Sequence, residues 1–228
     1  MFREYLDTIV TQLEAVCRTQ TDAMEAAAEV LADSLRADGL IYLFGCGHSH
    51  MLAEEGFYRA GGLGAVCPIL QSEFMLHEGA VKSSALERRS DLAADVLDRY
   101  PISEEDTLIV FSTSGVNGMP VEVARLARLR GARVIGVSSG AYARDESRHP
   151  LGLHLAEVCE IFIDNGSPHG DASYSLSCSD DKMAPVSTIA GAYILNCLLA
   201  RAAELAIEAS SQVAIYRSGN VAGGLEQN

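Results

Sequence analysis

Leu40-Ile41-Tyr42-Leu43-Phe44-Gly45-Cys46-Gly47-His48-Ser49-His50 is the stretch that decides the fold. Five consecutive apolar residues, with no polar alternation, are expected of a strand covered on both faces. The run breaks at glycines, and helical spacing follows from about Ser49. The same unit recurs along the chain. Ala65 to Leu70 is a second apolar run, followed by polar residues and a helical pattern near 85–100. Thr107 to Phe111 is a third, followed by Ser and Gly residues and a helix over about 117–130. Ala132 to Val137 is a fourth, ending at Ser138-Ser139-Gly140, and Glu160 to Ile163 is a short fifth, ending at Asp164-Asn165-Gly166. A helix over about 184–208 closes the series. Strands alternating with helices predict βαβ units: an α/β fold with a five-stranded parallel sheet sandwiched by helices, a flavodoxin-like three-layer arrangement. In such sheets ligands bind beyond the carboxyl ends of the strands.

Before the first strand, residues 2–37 carry apolar side chains at helical spacing, among them Leu6, Ile9, Val10, Leu13 and Val16. Thr19-Gln20-Thr21 is expected to kink this helix, and Gly39 to end it. The stripe is longer than one small sheet covers, so segment 1–37 is expected to serve oligomerisation within a single domain spanning 1–228. The irregular stretches 139–150 and 165–183 are long enough to be functional or mobile loops.

Hydrophobic residues make up 48% of the 228-residue chain, enough for a sizeable core. The net charge of −14 opposes nucleic acid and anionic membrane as partners. No two of the six cysteines have CxxC spacing, and the N-terminus lacks the basic and apolar regions of a secretory signal, so a cytoplasmic location is expected. The uncharged stretch Met183 to Ala200 contains Pro185, Gly191 and Asn196 and reads as a core helix rather than a membrane span.

Two strand-to-helix segments carry donor chemistry. In the first, Gly47 and Ser49 can present a tight turn, a hydroxyl and the following helix start to an anion. Neither GxGxxG nor a P-loop lysine is present, and a plain turn is the competing reading. The second, Ser112-Thr113-Ser114-Gly115-Val116-Asn117, offers hydroxyls, a glycine and a capping Asn as a nest for phosphate oxygens. A Ser/Thr-rich helix cap is its competing reading. Two such loops after strands one and three favour phosphate.

These paired loops resemble those of the SIS (sugar isomerase) domain superfamily, over about residues 20–210, with Ser112-Thr113-Ser114-Gly115 as the more specific element. The likeness is to single-domain members near phosphoheptose isomerase, with some to N-acetylmuramic acid 6-phosphate etherase. It implies a sugar-phosphate ligand held by Gly47, Ser49, Ser112, Thr113, Ser114, Gly115 and Asn117. It also implies homodimers or homotetramers in which a neighbouring subunit completes each site. The sequence departs from the pattern at three places. Asn117 stands where members carry Ser or Thr. Arg59 lies ten residues after Ser49, where phosphoheptose isomerase and the etherase have a catalytic glutamate. The last helix has no histidine.

Aldose–ketose isomerisation needs a base, and a proton carrier for ring opening. Glu55, one helical turn before Arg59, is the candidate base, assisted by His77 and Glu78; Glu78 as base is the alternative. Solvated positions are the competing reading for all three. Ser138 and Asp164, at strand ends, are candidates for sugar hydroxyls, as is Asp171 against a turn-stabilising role. Cys46 is read as passive. His50 and Glu54 stand i,i+4, with His48 or His77 as a third ligand in reach, but one such pair is too little for a metal site, so no metal and no cofactor are expected. The function expected is sugar-phosphate isomerisation, with phosphosugar lyase or etherase chemistry and non-catalytic sensing as alternatives.

Overall fold

The computed structural model describes all 228 residues. In chain order the elements are α1 (Phe2–Arg36), β1 (Ile41–Gly45), α2 (His50–Gly56), β2 (Val66–Pro68), α3 (Ala80–Leu86), α4 (Ala93–Leu97), β3 (Thr107–Phe111), α5 (Gly118–Leu129), β4 (Arg133–Ser138), α6 (Leu155–Val158), β5 (Ile161–Asp164), β6 (Ala172–Ser175), β7 (Lys182–Pro185), α7 (Ser187–Glu208) and α8 (Gly224–Gln227). The main sheet has the order β2-β1-β3-β4-β5 and is parallel throughout. The chain therefore reverses direction across the sheet between β1 and β3, which puts the switch-point crevice at their carboxyl ends.

The apolar runs form strands because both faces of the sheet are covered. Ile41, Leu43, Ile109 and Phe111 pack with α1, α2 and α7 in a cluster of 23 buried residues. Tyr42, Phe44, Leu108 and Val110 pack with α4, α5 and α6 in one of 21, so neither face is left to alternate with solvent. Helix α7 is long and apolar enough to cross a membrane by length and composition. Its Ile194, Leu195, Leu198 and Leu199 are instead buried against the sheet and α1, as expected of a core helix.

Local departures have local causes. α1 is one unbroken helix: the expected break at Thr19-Gln20-Thr21 does not occur, and the hydroxyls of Thr19 and Thr21 donate to the carbonyls of Ala15 and Cys17 four residues back, within the helix. It stops at Arg36 with Asp38, not Gly39, in the left-handed region. The helix expected over 85–100 is split into α3 and α4, joined by a turn at Ser90–Leu92. There the chain gives the Glu87 carbonyl to the Met119 amide at the start of α5 (3.0 Å). β2 spans only Val66–Pro68, β5 is shifted to Ile161–Asp164, and α7 starts at Ser187, after Pro185. The stretch 165–183, expected to be irregular, holds most of an antiparallel hairpin, β6–β7.

Candidate functional site

Gly45 ends β1 because the chain folds back on itself there: a Cβ would overlap the Ser49 carbonyl, whose carbon lies 2.6 Å from the Cβ position. A short 3-10 turn, Gly47–Ser49, follows, with Gly47 at φ +55°. The helix expected from Ser49 starts at His50 and is seven residues long, with no side-chain cap. Ser49 is thus free to face the cleft. After β3, the Ser112 hydroxyl accepts from the Gly115 amide (3.2 Å), and Gly115 adopts φ +64°. That turn is held to β4 by the Thr113 carbonyl, which accepts from the Ser139 amide (2.9 Å) and the Ser138 hydroxyl (3.2 Å).

Between the two loops lies a cleft of roughly 390 Å³. Hydroxyls of Ser49, Ser84, Thr113, Ser114, Ser187 and Thr188 are among its lining, and no Lys or Arg is. Beneath it, Ser49, Ser112, Thr113, Ser187 and Thr188 surround a gap of about 10 Å³, the size of one water. Gly47, Ser49, Thr113 and Ser114 are therefore brought together as expected from the two loops, with Ser112 in the floor and Gly115 shaping the turn. Ser187 and Thr188 arrive from α7. A Ser-Thr pair ahead of an apolar helix is a start signal that sequence alone carries. Its place opposite Ser49 is tertiary.

Other candidates are placed elsewhere. The Asn117 carboxamide turns away from the phosphate loops: Nδ2 donates to Glu87 Oε1 and Oδ1 accepts from Arg148 Nη1, both at 2.7 Å. The Glu55 carboxylate is paired with Arg59 and accepts from Asn196 of α7 (3.3 Å), outside the cleft lining. His77 and Glu78 sit exposed on a 3-10 turn at the rim, where only Leu76 reaches the cleft. Hydrogen bonds from Ser72 and Lys82 hold the Glu78 carboxyl below the usual glutamate range. Asp164 Oδ1 accepts the amides of Gly140 (3.0 Å) and Gly166 (2.8 Å), tying together the loops after β4 and β5. Ser138 lines a second cavity of roughly 350 Å³, which shares Ser114 and Tyr142 with the first. Asp171 joins the cleft wall while capping α7.

His50 is buried, with Nδ1 3.1 Å from Glu54 Oε1 and Nε2 unpartnered, and burial pushes its pKa down. No group of three ligating side chains forms around this pair. Cys46 lines the cleft, and burial pushes its thiol pKa well up, which makes it a poor nucleophile. Glu87 is the carboxylate of the cleft that sequence reasoning passed over. It is half-buried, and desolvation first, opposed by the Asn117 hydrogen bond, moves its carboxyl above the usual range.

Two proteins of the UPF0309 group match end to end. That of Listeria innocua is 43% identical over 229 residues, covering 100% of this chain and 93% of its own length. That of Geobacillus thermodenitrificans is 42% identical, covering 100% and 92%. Among solved structures, phosphoheptose isomerase from Francisella tularensis superposes with a TM-score of 0.61 at 13% identity, covering 89% of this chain and 96% of that one. The phosphoheptose isomerase of Neisseria gonorrhoeae gives 0.59 at 13%, covering 89% and 97%. At that identity the likeness speaks for the fold. The SIS domain profile matches residues 4–139, well over half of the sequence. With the five-stranded parallel sheet and both donor loops in place, the chain belongs to the SIS domain family and, within it, to the UPF0309 group.

Proposed function

We propose that this protein binds a sugar phosphate in the cleft between the Gly45–Ser49 and Ser112–Gly115 loops and interconverts its aldose and ketose forms. The observation that carries the reading is the ring of hydroxyls from Ser49, Thr113, Ser114, Ser187 and Thr188 at the switch point of the sheet. Hydroxyls and loop amides suit the three terminal oxygens of a phosphomonoester, and they do so without a cation, in a chain of net charge −14. Isomerisation by proton transfer needs no cofactor. The chain acts as a homodimer or homotetramer that covers the apolar face of α1, and no nucleic acid or membrane takes part.

Glu55 and Glu78 each begin in an ion pair, with Arg59 and Lys82, and the cation competes with a substrate proton for the carboxylate. That favours, as a second reading, a protein that binds phosphosugars without turning them over. Thermal-shift screening of aldose and ketose phosphates, followed by NMR of each stabilising compound with the protein, separates the two. Stabilisation with interconversion supports the isomerase. Stabilisation alone supports the binding module. A lyase shows as loss of a substituent. No stabilisation at millimolar concentration by any sugar phosphate overturns all three.

A further inference from the structure

We infer that Glu87 is the group that moves the proton in this cleft, and that Asn117 and Arg148 are its positioning residues. The inference rests on the isomerase reading above and names a residue outside the family's base position. Glu87 comes from the turn after α3 and lines the cleft beside Ser84 and His48. Its Oε1 accepts from Asn117 Nδ2, whereas Oε2 has no hydrogen-bond partner within the protein. Among the carboxylates offered as bases, Glu55 and Glu78 are each held by a cation, and Glu87 is held by a neutral amide.

The backbone fixes the arrangement from both sides. The Glu87 carbonyl accepts from the Met119 amide (3.0 Å), and the Arg148 amide donates to the Val116 carbonyl (2.8 Å). Gly118 lets these segments meet, since a Cβ there would lie 2.9 Å from the Arg88 carbonyl oxygen. The loop that presents Thr113 and Ser114 therefore also sets where Glu87 stands. A ligand anchored by its phosphate meets the carboxylate at a distance that the fold determines, which is what positioning contributes to catalysis. The charged and titratable groups around it are Arg88 on its own turn, Arg148 behind Asn117, the Cys46 thiol, and His48, Tyr142 and Asp171 in the cleft wall. A carboxylate with its proton affinity raised by burial is suited to base work near neutral pH.

The step balances within the substrate. Glu87 takes the proton from C2 of the open-chain aldose phosphate. The C2–H electron pair becomes the C1=C2 bond, and the C1 carbonyl becomes an alkoxide. The carboxylic acid returns its proton to C1, while a second proton passes from O2 to O1 through water. The ketose forms and the carboxylate is regenerated, with no oxidant, reductant or metal consumed.

The test uses the full chain and the sugar phosphate selected by thermal shift. In D2O, the wild type is expected to exchange the C2 proton for deuterium. Glu87→Gln keeps the ligand affinity and loses about 10²–10⁴-fold of the exchange rate. Asn117→Ala moves the pH midpoint of exchange upward, because the hydrogen bond it removes favours the charged carboxylate; a merely structural role would leave the midpoint alone. Should Glu87→Gln fail to fold, Glu87→Asp, one methylene shorter, is expected to fold and to lose exchange. Exchange at the wild-type rate in Glu87→Gln, with loss in Glu55→Gln or Glu78→Gln, overturns the assignment and leaves the isomerase reading standing. A wild type that binds but exchanges nothing overturns both.

Discussion

Asp171 reaches Ser187 across the hairpin β6–β7 with both carboxylate oxygens. Oδ1 accepts the Ser187 amide (2.8 Å) and the Val186 amide (3.0 Å), and Oδ2 accepts the Ser187 hydroxyl (2.6 Å). An internal anion thus completes the amino end of the 22-residue α7 and joins the wall of the cleft where a phosphate is proposed. The charge that steadies the helix opposes the ligand. Asp171 itself sits at φ +63°, a conformation that Asp tolerates better than most side chains.

Asp171→Asn is expected to separate the two effects. The amide keeps one acceptor and loses the charge, so stability in urea falls by about 1 kcal/mol. Affinity for a sugar phosphate rises severalfold, read by calorimetry at low salt. A drop in affinity instead would mean that the carboxylate binds the sugar.

Thr113→Ala and Ser114→Ala are expected to weaken phosphate binding by about 1 kcal/mol each, roughly fivefold, with little change in melting temperature. Ser112→Ala behaves differently. Ser112 is buried and accepts the Gly115 amide, so its loss lowers stability by about 1–3 kcal/mol, and affinity follows from the disturbed turn. Equal melting temperatures for the three variants would show that Ser112 has no such structural part.

Gly45→Ala tests the first loop. The added Cβ meets backbone at Ser49, which no rotamer change relieves. A cost of about 1–3 kcal/mol in denaturant and loss of measurable sugar-phosphate affinity are expected. Wild-type affinity would place the phosphate away from this loop.

The face of α1 that carries Phe2, Leu6 and Val10 is exposed in the single chain, and Tyr5 of the same helix donates to the Pro185 carbonyl (2.8 Å) at the edge of the cleft. Leu6→Asp with Val10→Asp is expected to convert an oligomer into a monomer by light scattering at micromolar concentration. A wild-type monomer under those conditions would refute the assembly.

The strands were legible because a parallel sheet buried on both faces writes itself as unbroken apolar runs, and Leu40 to Phe44 is such a run. The two donor loops were legible because glycines and hydroxyls directly follow strands. What the sequence did not carry was orientation. Asn117 looked like a phosphate ligand by its place beside Ser114, yet it faces Glu87, thirty positions earlier. Glu87 lies among Arg88, Arg89 and Ser90, at the start of the helical pattern expected over 85–100, and only the approach of Gly118, which brings α5 against this stretch, gives it a place in the cleft. Glu55 and Arg59 were legible as partners four residues apart, but not on one helix face: α2 stops at Gly56, and Arg59 reaches the Glu55 carboxylate from the bend beyond it.

Glu87 also gives a prediction that needs no substrate. Burial raises its pKa above the usual glutamate value, so the folded chain holds this proton more tightly than the unfolded chain does. Its contribution to stability is therefore complete below the unfolded pKa and is lost as pH rises through the folded one. Once ionised, the residue is a half-buried charge that the fold tolerates at a cost. Glu87→Gln keeps an acceptor for Asn117 Nδ2 and removes that charge. The variant should melt higher than the wild type at pH 7–8, and the gap should close as pH falls toward the ordinary glutamate range, near 4.3. Glu122 and Glu160 have the opposite sign: Arg125 and then His149, and Arg133, hold their pKa values down, so their stability is present at neutral pH and lost on acidification. Those losses occur in both proteins and cancel in the difference between the two melting curves. A difference that stays constant from pH 4 to 8 would mean that Glu87 titrates alike folded and unfolded, and that the cleft does not tune it.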